Sequence, residues 1–365
     1  MEIFGFIKGR KEKKLLQEAI ELGDRLFEKD EYEGAIQQFT QAAKLAPDDP
    51  YAFQKLGKLY TSINNYQQAI EAYRKVLSLR PDDHASHKGL GEIYLQTGRY
   101  QEAIGAYKRA VAIQNGDGRL YHDMGVAYEH LEHAEEAIAA YEKSQVYGIP
   151  SPQIQFQIGT LYYRLERLEN ALQSFQEAVN IHPDFAEAYY KMGIIYSKMQ
   201  ETEKAIEAYE DAIERNPDYS EAYYNLGVIY HRQGHFEEAI TLYRQAIRAN
   251  ANFTDAHYNL AIAYTNLLFH EDAVRSYKEA IRIDPDFADA YLQLGVTYRK
   301  LRRYKDAIES CKQAIRINPE FRDAHYKLGQ IHLLVGDHAA ALNEYKMLQN
   351  LNSPLAEKLF NEIYR

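Results

Sequence analysis

The chain has no tryptophan and a single cysteine in 365 residues. A lone thiol has no internal partner, so no disulfide staples the fold, and Cys311 reads as a small buried hydrophobe. A cationic surplus is missing too: the formal net charge is −10, with 19 basic against 23 acidic residues before Pro152 and 24 against 30 after it. Nucleic acid is therefore not an expected partner, because phosphate binding requires a concentrated basic face. No segment is apolar for long enough to span a membrane. Near the start, Ile3-Phe4-Gly5-Phe6-Ile7 is too short for the core of a secretory signal, and the basic residues Lys8, Arg10, Lys11, Lys13 and Lys14 follow it instead of preceding it. A cytoplasmic location is expected. The signatures of catalysis are also absent, with no phosphate-cradling glycine loop, nucleophile elbow or cysteine pair. His130 and His133, His231 and His235, and the acidic stretch from Glu132 to Glu136 form no recognised ligand or acid set. The expectation is a chain that is not an enzyme and needs no cofactor and no metal.

What the chain does have is a repeat. Pro47, Pro81, Pro183, Pro217, Pro285 and Pro319 fall on one lattice of 34 residues, and Asn115, Ile149, Ala251 and Ser353 fill the remaining lattice points without insertions. A period of this length means one supersecondary unit stacked on copies of itself, burying a core that no unit could bury alone. The 46% hydrophobic and 26% charged residues give the globular balance such a stack requires. Windows starting at Leu16 give ten units: 16–49, 50–83, 84–117, 118–151, 152–185, 186–219, 220–253, 254–287, 288–321 and 322–355.

Certain places in the window are constant. The eighth is glycine from Gly23 to Gly329, apart from Ala261, and the twentieth is alanine in every unit from Ala35 to Ala341. The eleventh is tyrosine from Tyr60 to Tyr298, and the twenty-fourth is aromatic from Phe39 to Tyr345 except at Cys311. Small residues let two antiparallel helices approach closely, while the aromatics fill the space between hairpins. This set closely resembles the tetratricopeptide repeat over 340 of the 365 residues. The resemblance implies an all-α right-handed solenoid, a superhelix of antiparallel helix hairpins that binds protein segments as a non-catalytic scaffold. Departures are local. The fourth place is never Trp, and the fourth unit carries Ala134 and Ser144 before Gly148-Ile149-Pro150-Ser151-Pro152, so a looser joint is expected near 144–152.

The same resemblance implies that the first helix of each hairpin lines a concave groove for a protein or peptide ligand. Its fifth places are then Phe156, Tyr190, Tyr224, Tyr258, Leu292 and Tyr326, and its sixth places include Lys191, Asn225, Asn259 and Gln293. The ninth places Ile194, Val228, Ile262 and Val296 are apolar where the family commonly has asparagine, and Arg232 stands at a thirteenth place. The resulting picture is an aromatic and aliphatic floor between an acidic and a basic edge, with Asn225 and Asn259 hydrogen-bonding a bound segment. The alternative reading of these tyrosines and asparagines is stacking on the neighbouring unit. Tyr223-Tyr224-Asn225-Leu226-Gly227 and His257-Tyr258-Asn259-Leu260-Ala261 are similar to units in the repeat region of O-linked N-acetylglucosamine transferases, although no transferase domain follows. The carboxylate clamp of chaperone-binding relatives does not match, because Lys88 is followed by Glu92 and then Asp123.

The helix starts are expected from capping pairs. Asp184 with Glu187, Asp218 with Glu221, and Asp286 with Asp289 place a capping side chain three residues before an acid, and the acid is open to a ligand role as well. Residues 1–15 form an apolar and basic leader, read either as a frayed lead-in to the first helix or as a docking element for a membrane surface or another copy. At the other end, Ser353-Pro354 reads as an N-cap with proline at the first helical position, starting a capping helix near 353 whose last part is 356–365. A self-assembling structural protein, and hence a homo-oligomer, is the second functional reading.

Overall fold

The computed structural model describes residues 2–148 and 150–364, and among them it holds 21 α-helices and no strand. Two compact units divide the chain, Met1–His182 and Pro183–Arg365. In the first unit the helices are α1 (Glu2–Glu28), α2 (Tyr32–Leu45), α3 (Pro50–Ser62), α4 (Tyr66–Leu79), α5 (His84–Gln96), α6 (Tyr100–Ile113), α7 (Gly118–His130), α8 (Ala134–Tyr147), α9 (Pro152–Arg164) and α10 (Leu168–Ile181). The second unit contains α11 (Ala186–Lys198), α12 (Thr202–Arg215), α13 (Ser220–Arg232), α14 (Phe236–Ala249), α15 (Thr254–Asn266), α16 (His270–Ile283), α17 (Ala288–Lys300), α18 (Tyr304–Ile317), α19 (Arg322–Leu334), α20 (His338–Asn350) and α21 (Leu355–Ile363).

Within each unit, successive helices pair as hairpins and each hairpin packs on the next. The lattice residues explain how. A Cβ on Gly193 would lie 2.6 Å from the ring of Tyr209, which is 2% exposed, so α11 and α12 meet at a distance only glycine permits. Cys311 occupies the same slot beneath Gly295 and is fully buried, with burial pushing its thiol pKa up to about 12. At the last hairpin the slot under Gly329 is filled by Leu359 of α21, and Tyr345 turns aside to stack on Phe360 at 5.4 Å. Thus α21 closes the stack by supplying the missing core side chain.

Two expectations need correction. The capping pairs do not form: α11, α13 and α17 begin one residue later, at Phe185, Tyr219 and Phe287, with no side-chain cap. Asp218 and Asp286 lie in the preceding turn, where their N–H groups donate to Asn216 (3.2 Å) and Asp284 (3.1 Å). The acids Glu187, Glu221 and Asp289 still stand in the first helical turn, where they complement the helix dipole. Likewise α21 starts at Leu355, with Pro354 as its N-cap and Ser353 Oγ accepting from Leu355 N–H at 3.3 Å. Finally, the backbone of the leader continues as helix into α1, although the side chains of residues 1–10, on which its docking role rests, lie outside the described residues.

The stretch after α8 is bridged by one amide. Gln145 Nε2 donates to the Ser151 carbonyl at 3.0 Å, and its Oε1 accepts from Ser151 N–H at 2.9 Å.

Candidate functional site

The twelve residues expected to face a ligand lie on α11, α13, α15 and α17 of the second unit. Four of them converge. Ile194, Asn225, Val228 and Arg232 line one open cavity of roughly 480 Å³, together with Tyr209, Ile229 and the polar rim Ser197, Thr202, Glu203 and Gln233. The sequence reading missed that rim, because Ser197 and Gln233 sit at helix ends and Thr202 and Glu203 begin the second helix of their hairpin.

The tyrosines are committed to the joint between hairpins. Tyr190 packs on Tyr209 (5.9 Å between centroids) and Tyr219 (4.8 Å), Tyr224 on Tyr243 (5.9 Å) and Phe253 (4.9 Å), and Tyr258 on Tyr277 (5.8 Å) and Phe287 (4.8 Å). Each fifth-place ring is thereby wedged between a core tyrosine and the aromatic that begins the next hairpin. The asparagines join the same arrangement, since Asn225 Nδ2 donates to the Tyr190 hydroxyl at 3.2 Å and Asn259 Nδ2 to the Tyr224 hydroxyl at 2.8 Å. One amide N–H of each is therefore engaged within the protein. Stacking on the neighbouring unit accounts for these five residues.

Ile262 and Val296 are half-buried against the core, as is Val228, and Ile194 holds the same position in its own cluster. Lys191 places its ammonium 6.0 Å from the centre of the Tyr190 ring, and Gln293 is half-buried. Burial raises the Tyr224 hydroxyl pKa and Asp255 raises it further, while the Asn259 bond and nearby Arg232 pull it down. Burial and then Asp289 raise that of Tyr258.

One row of residues went unread. Asp49, Asp83 and Asp117 cap α3, α5 and α7, accepting from Tyr51 N–H (3.0 Å), Ser86 N–H (2.8 Å) and Arg119 N–H (3.0 Å). In the second unit the same lattice place holds Tyr219, Phe253, Phe287 and Phe321. The partner changes in step: Gln54 donates to Asp83 at 3.3 Å and Lys88 to Asp117 at 2.8 Å, whereas Tyr224 and Tyr258 stack on Phe253 and Phe287. One joint is thus built in two chemistries, polar early in the chain and aromatic late. The signal was a change from acid to aromatic at the last place of the window.

The histidines weighed as ligands are occupied elsewhere. His231 contacts Asn266 Nδ2 (3.1 Å) and the Tyr243 hydroxyl (3.5 Å), its pKa lowered by burial, and His130 stacks on Tyr100 at 4.4 Å. Among the described residues no three His, Cys, Asp or Glu side chains are grouped to hold a metal ion, and no helix is long and apolar enough to cross a membrane.

Sequence models of the tetratricopeptide repeat match residues 54–118, 118–145, 190–252 and 288–321, and a further model of the same repeat matches 23–62, 159–200 and 270–301. The chain is a tetratricopeptide-repeat protein. Among solved structures, this tetratricopeptide-repeat chain is similar to the C-terminal part of a TPR repeat-containing protein from Cytophaga hutchinsonii, at 17% identity over 65% of this chain and 98% of that one, with a TM-score of 0.57. MamA matches at 27% identity over 44% of this chain and 95% of its own, TM-score 0.42. YrrB, described as a TPR protein with an unusual peptide-binding site, matches at 23% identity over 52% and 97%, TM-score 0.44. No curated protein matches the chain. The repeat frame fits a protein-interaction scaffold, with the first helices of the hairpins presenting the residues described above.

Proposed function

We propose that the chain is a non-catalytic adaptor of ten tetratricopeptide repeats, 16–355, that binds a peptide or helical segment along the face formed by α11, α13, α15 and α17. The observation that carries this reading is the cavity shared by Ile194, Asn225, Val228 and Arg232, which has apolar walls and a charged, amide-bearing rim. Apolar walls favour a bound side chain by area burial, and a few rim groups fix its orientation. Tyr190, Tyr224 and Tyr258 hold the wall in place, with Asn225 bonded to Tyr190 and Asn259 to Tyr224. Partner proteins, not nucleic acid, are the expected ligands, and a cytoplasmic setting belongs to the same reading. The test is quantitative crosslinking and mass spectrometry from the native cell with the wild type and with Ile194→Gln/Val228→Gln/Arg232→Ala. Loss of a defined partner with helicity retained supports the groove. An unchanged partner set removes it.

One observation favours self-assembly as a second reading. Leu268 is 71% exposed and Phe269 53% exposed in the turn between α15 and α16, and Leu268 has φ +63°, a conformation that bulky residues rarely adopt. Light scattering of Leu268→Asn/Phe269→Asn against the wild type tests it. A wild type that stays monomeric at high concentration refutes it.

A further inference from the structure

The first unit holds a feature the groove does not use. An open depression of about 540 Å³ lies across α4, α5 and α6, with Leu77 and Tyr94 among its apolar lining and Arg74, Ser78 and Arg109 among its polar groups. Both arginines are exposed, and among the described residues neither guanidinium pairs with a carboxylate. Arg74 Nη2 instead donates to the Tyr94 hydroxyl, whose residue also lines the depression, at 3.3 Å. The one acid in the lining, Glu102, is taken by Arg99 through two bonds of 3.0 and 2.7 Å, and this pairing lowers its pKa. Residues 66–113 carry seven basic and five acidic side chains, an excess of two positive charges in a chain whose formal net charge is −10.

Gly105 supplies the second observation. It lies in the interior of α6, where glycine disfavours the helix relative to alanine. No packing explains it, because a Cβ built there would meet nothing within 4 Å. Its effect is to leave the depression open where other units carry side chains, such as Glu71, Glu207 or Glu309.

We propose that this depression binds a phosphomonoester, with Arg74 and Arg109 gripping the dianion and the Leu77, Tyr94 and Gly105 surface receiving the carbon group it esterifies. Guanidinium forks match phosphate oxygens in pairs. The ester is borne either by a modified protein side chain or by a small molecule. Titration calorimetry of the full chain with phenyl phosphate, inorganic phosphate and a phosphoserine peptide separates the sources. Saturable binding of phenyl phosphate is expected, falling with added salt and weakened about tenfold or more in Arg74→Ala/Arg109→Ala and in Gly105→Leu. Gly105→Ala, which adds only a methyl facing open space, retains binding. Tighter binding of the peptide than of phenyl phosphate assigns a protein-borne ester, and the reverse a small-molecule one. Absence of saturable binding by the wild type, or unchanged affinity in the double-arginine variant with helicity intact, overturns the proposal.

Discussion

Replacing Phe253 by Asp should cost less than replacing it by Ala, although Asp is the more polar residue. Phe253 is half-buried and stacks on Tyr224 at 4.9 Å. Truncation of a fully buried Phe costs about 3–5 kcal/mol, so this half-buried ring is worth about 2 kcal/mol. Both variants lose that. Only Asp can return something, because the backbone at Phe253 (φ −82°, ψ 89°) nearly matches that of the N-cap Asp83 (φ −79°, ψ 100°), whose carboxylate accepts from Ser86 N–H. A new N-cap on α15 is worth about 1 kcal/mol, so Phe253→Asp should lose about 1 and Phe253→Ala about 2 kcal/mol. Stacked repeats do not melt as one two-state unit, so the assay is local: hydrogen exchange followed by mass spectrometry over residues 220–266. Opening of α15 should be easier in the alanine variant. If the aspartate variant exchanges faster than the alanine one, the aromatic joint is not interchangeable with a cap and the argument fails.

Other consequences follow from the same geometry. His325 is 3% exposed; its Nδ1 lies 2.6 Å from Glu344 and its Nε2 3.0 Å from the Pro319 carbonyl, so both nitrogens face acceptors. Burial opposes the charge, but Glu344 and the carbonyl outweigh it and raise the pKa. A raised histidine stabilises fully below its unfolded pKa of about 6.5, and the stabilisation is lost as pH rises through the folded value. Exchange across α19 and α20 should therefore quicken, after correction for intrinsic rates, between pH 6.5 and alkaline pH in the wild type and not in His325→Gln. His332, whose pKa burial lowers, acts in the opposite direction and only on acidification, so the two are separable. Lys88 pairs with Asp117 at 2.8 Å with side chains 30% and 33% exposed, so Lys88→Ala should cost about 0.5–1 kcal/mol at low salt and less at 1 M salt, read by local hydrogen exchange across α5 and α7 in the full chain. Cys311 should resist iodoacetamide in the native protein at pH 8 and react on denaturation, its thiol being fully buried with a pKa pushed up to about 12.

The frame was legible because each lattice place has one packing consequence. Gly193 against Tyr209 and Ala205 in the core are dictated by how near two helices can come, and no ligand is needed to explain them. The half-burial of Ile194, Val228, Ile262 and Val296 also followed from their apolar character. The helix starts were misread because Asp218 and Asp286 have the composition of a cap and the position of a turn. Their N–H groups are held by Asn216 and Asp284, which delays the helix by one residue and gives the cap position to Tyr219 and Phe287. The bonds of Asn225 and Asn259 were not legible because each amide meets a hydroxyl 35 positions earlier, and that pairing exists only once hairpins are stacked.

The two chemistries of the joint also make the hairpins unequal as interchangeable parts. Each window carries both its fifth-place group and the linker residue that group meets, whereas the sixth-place amide reaches back to the tyrosine of the window before it. Residues 220–253 and 254–287 carry Tyr224 with Phe253 and Tyr258 with Phe287, and exchanging them would preserve every contact of that type. Residues 84–117 carry Lys88 with Asp117, and grafted in place of 220–253 their Gly89 and Lys88 would supply neither the amide that meets Tyr190 nor the hydroxyl that meets Asn259. A period that is uniform in length thus conceals a grammar of neighbours, and gene duplication within the second block would lengthen the protein at far lower cost than duplication across the blocks.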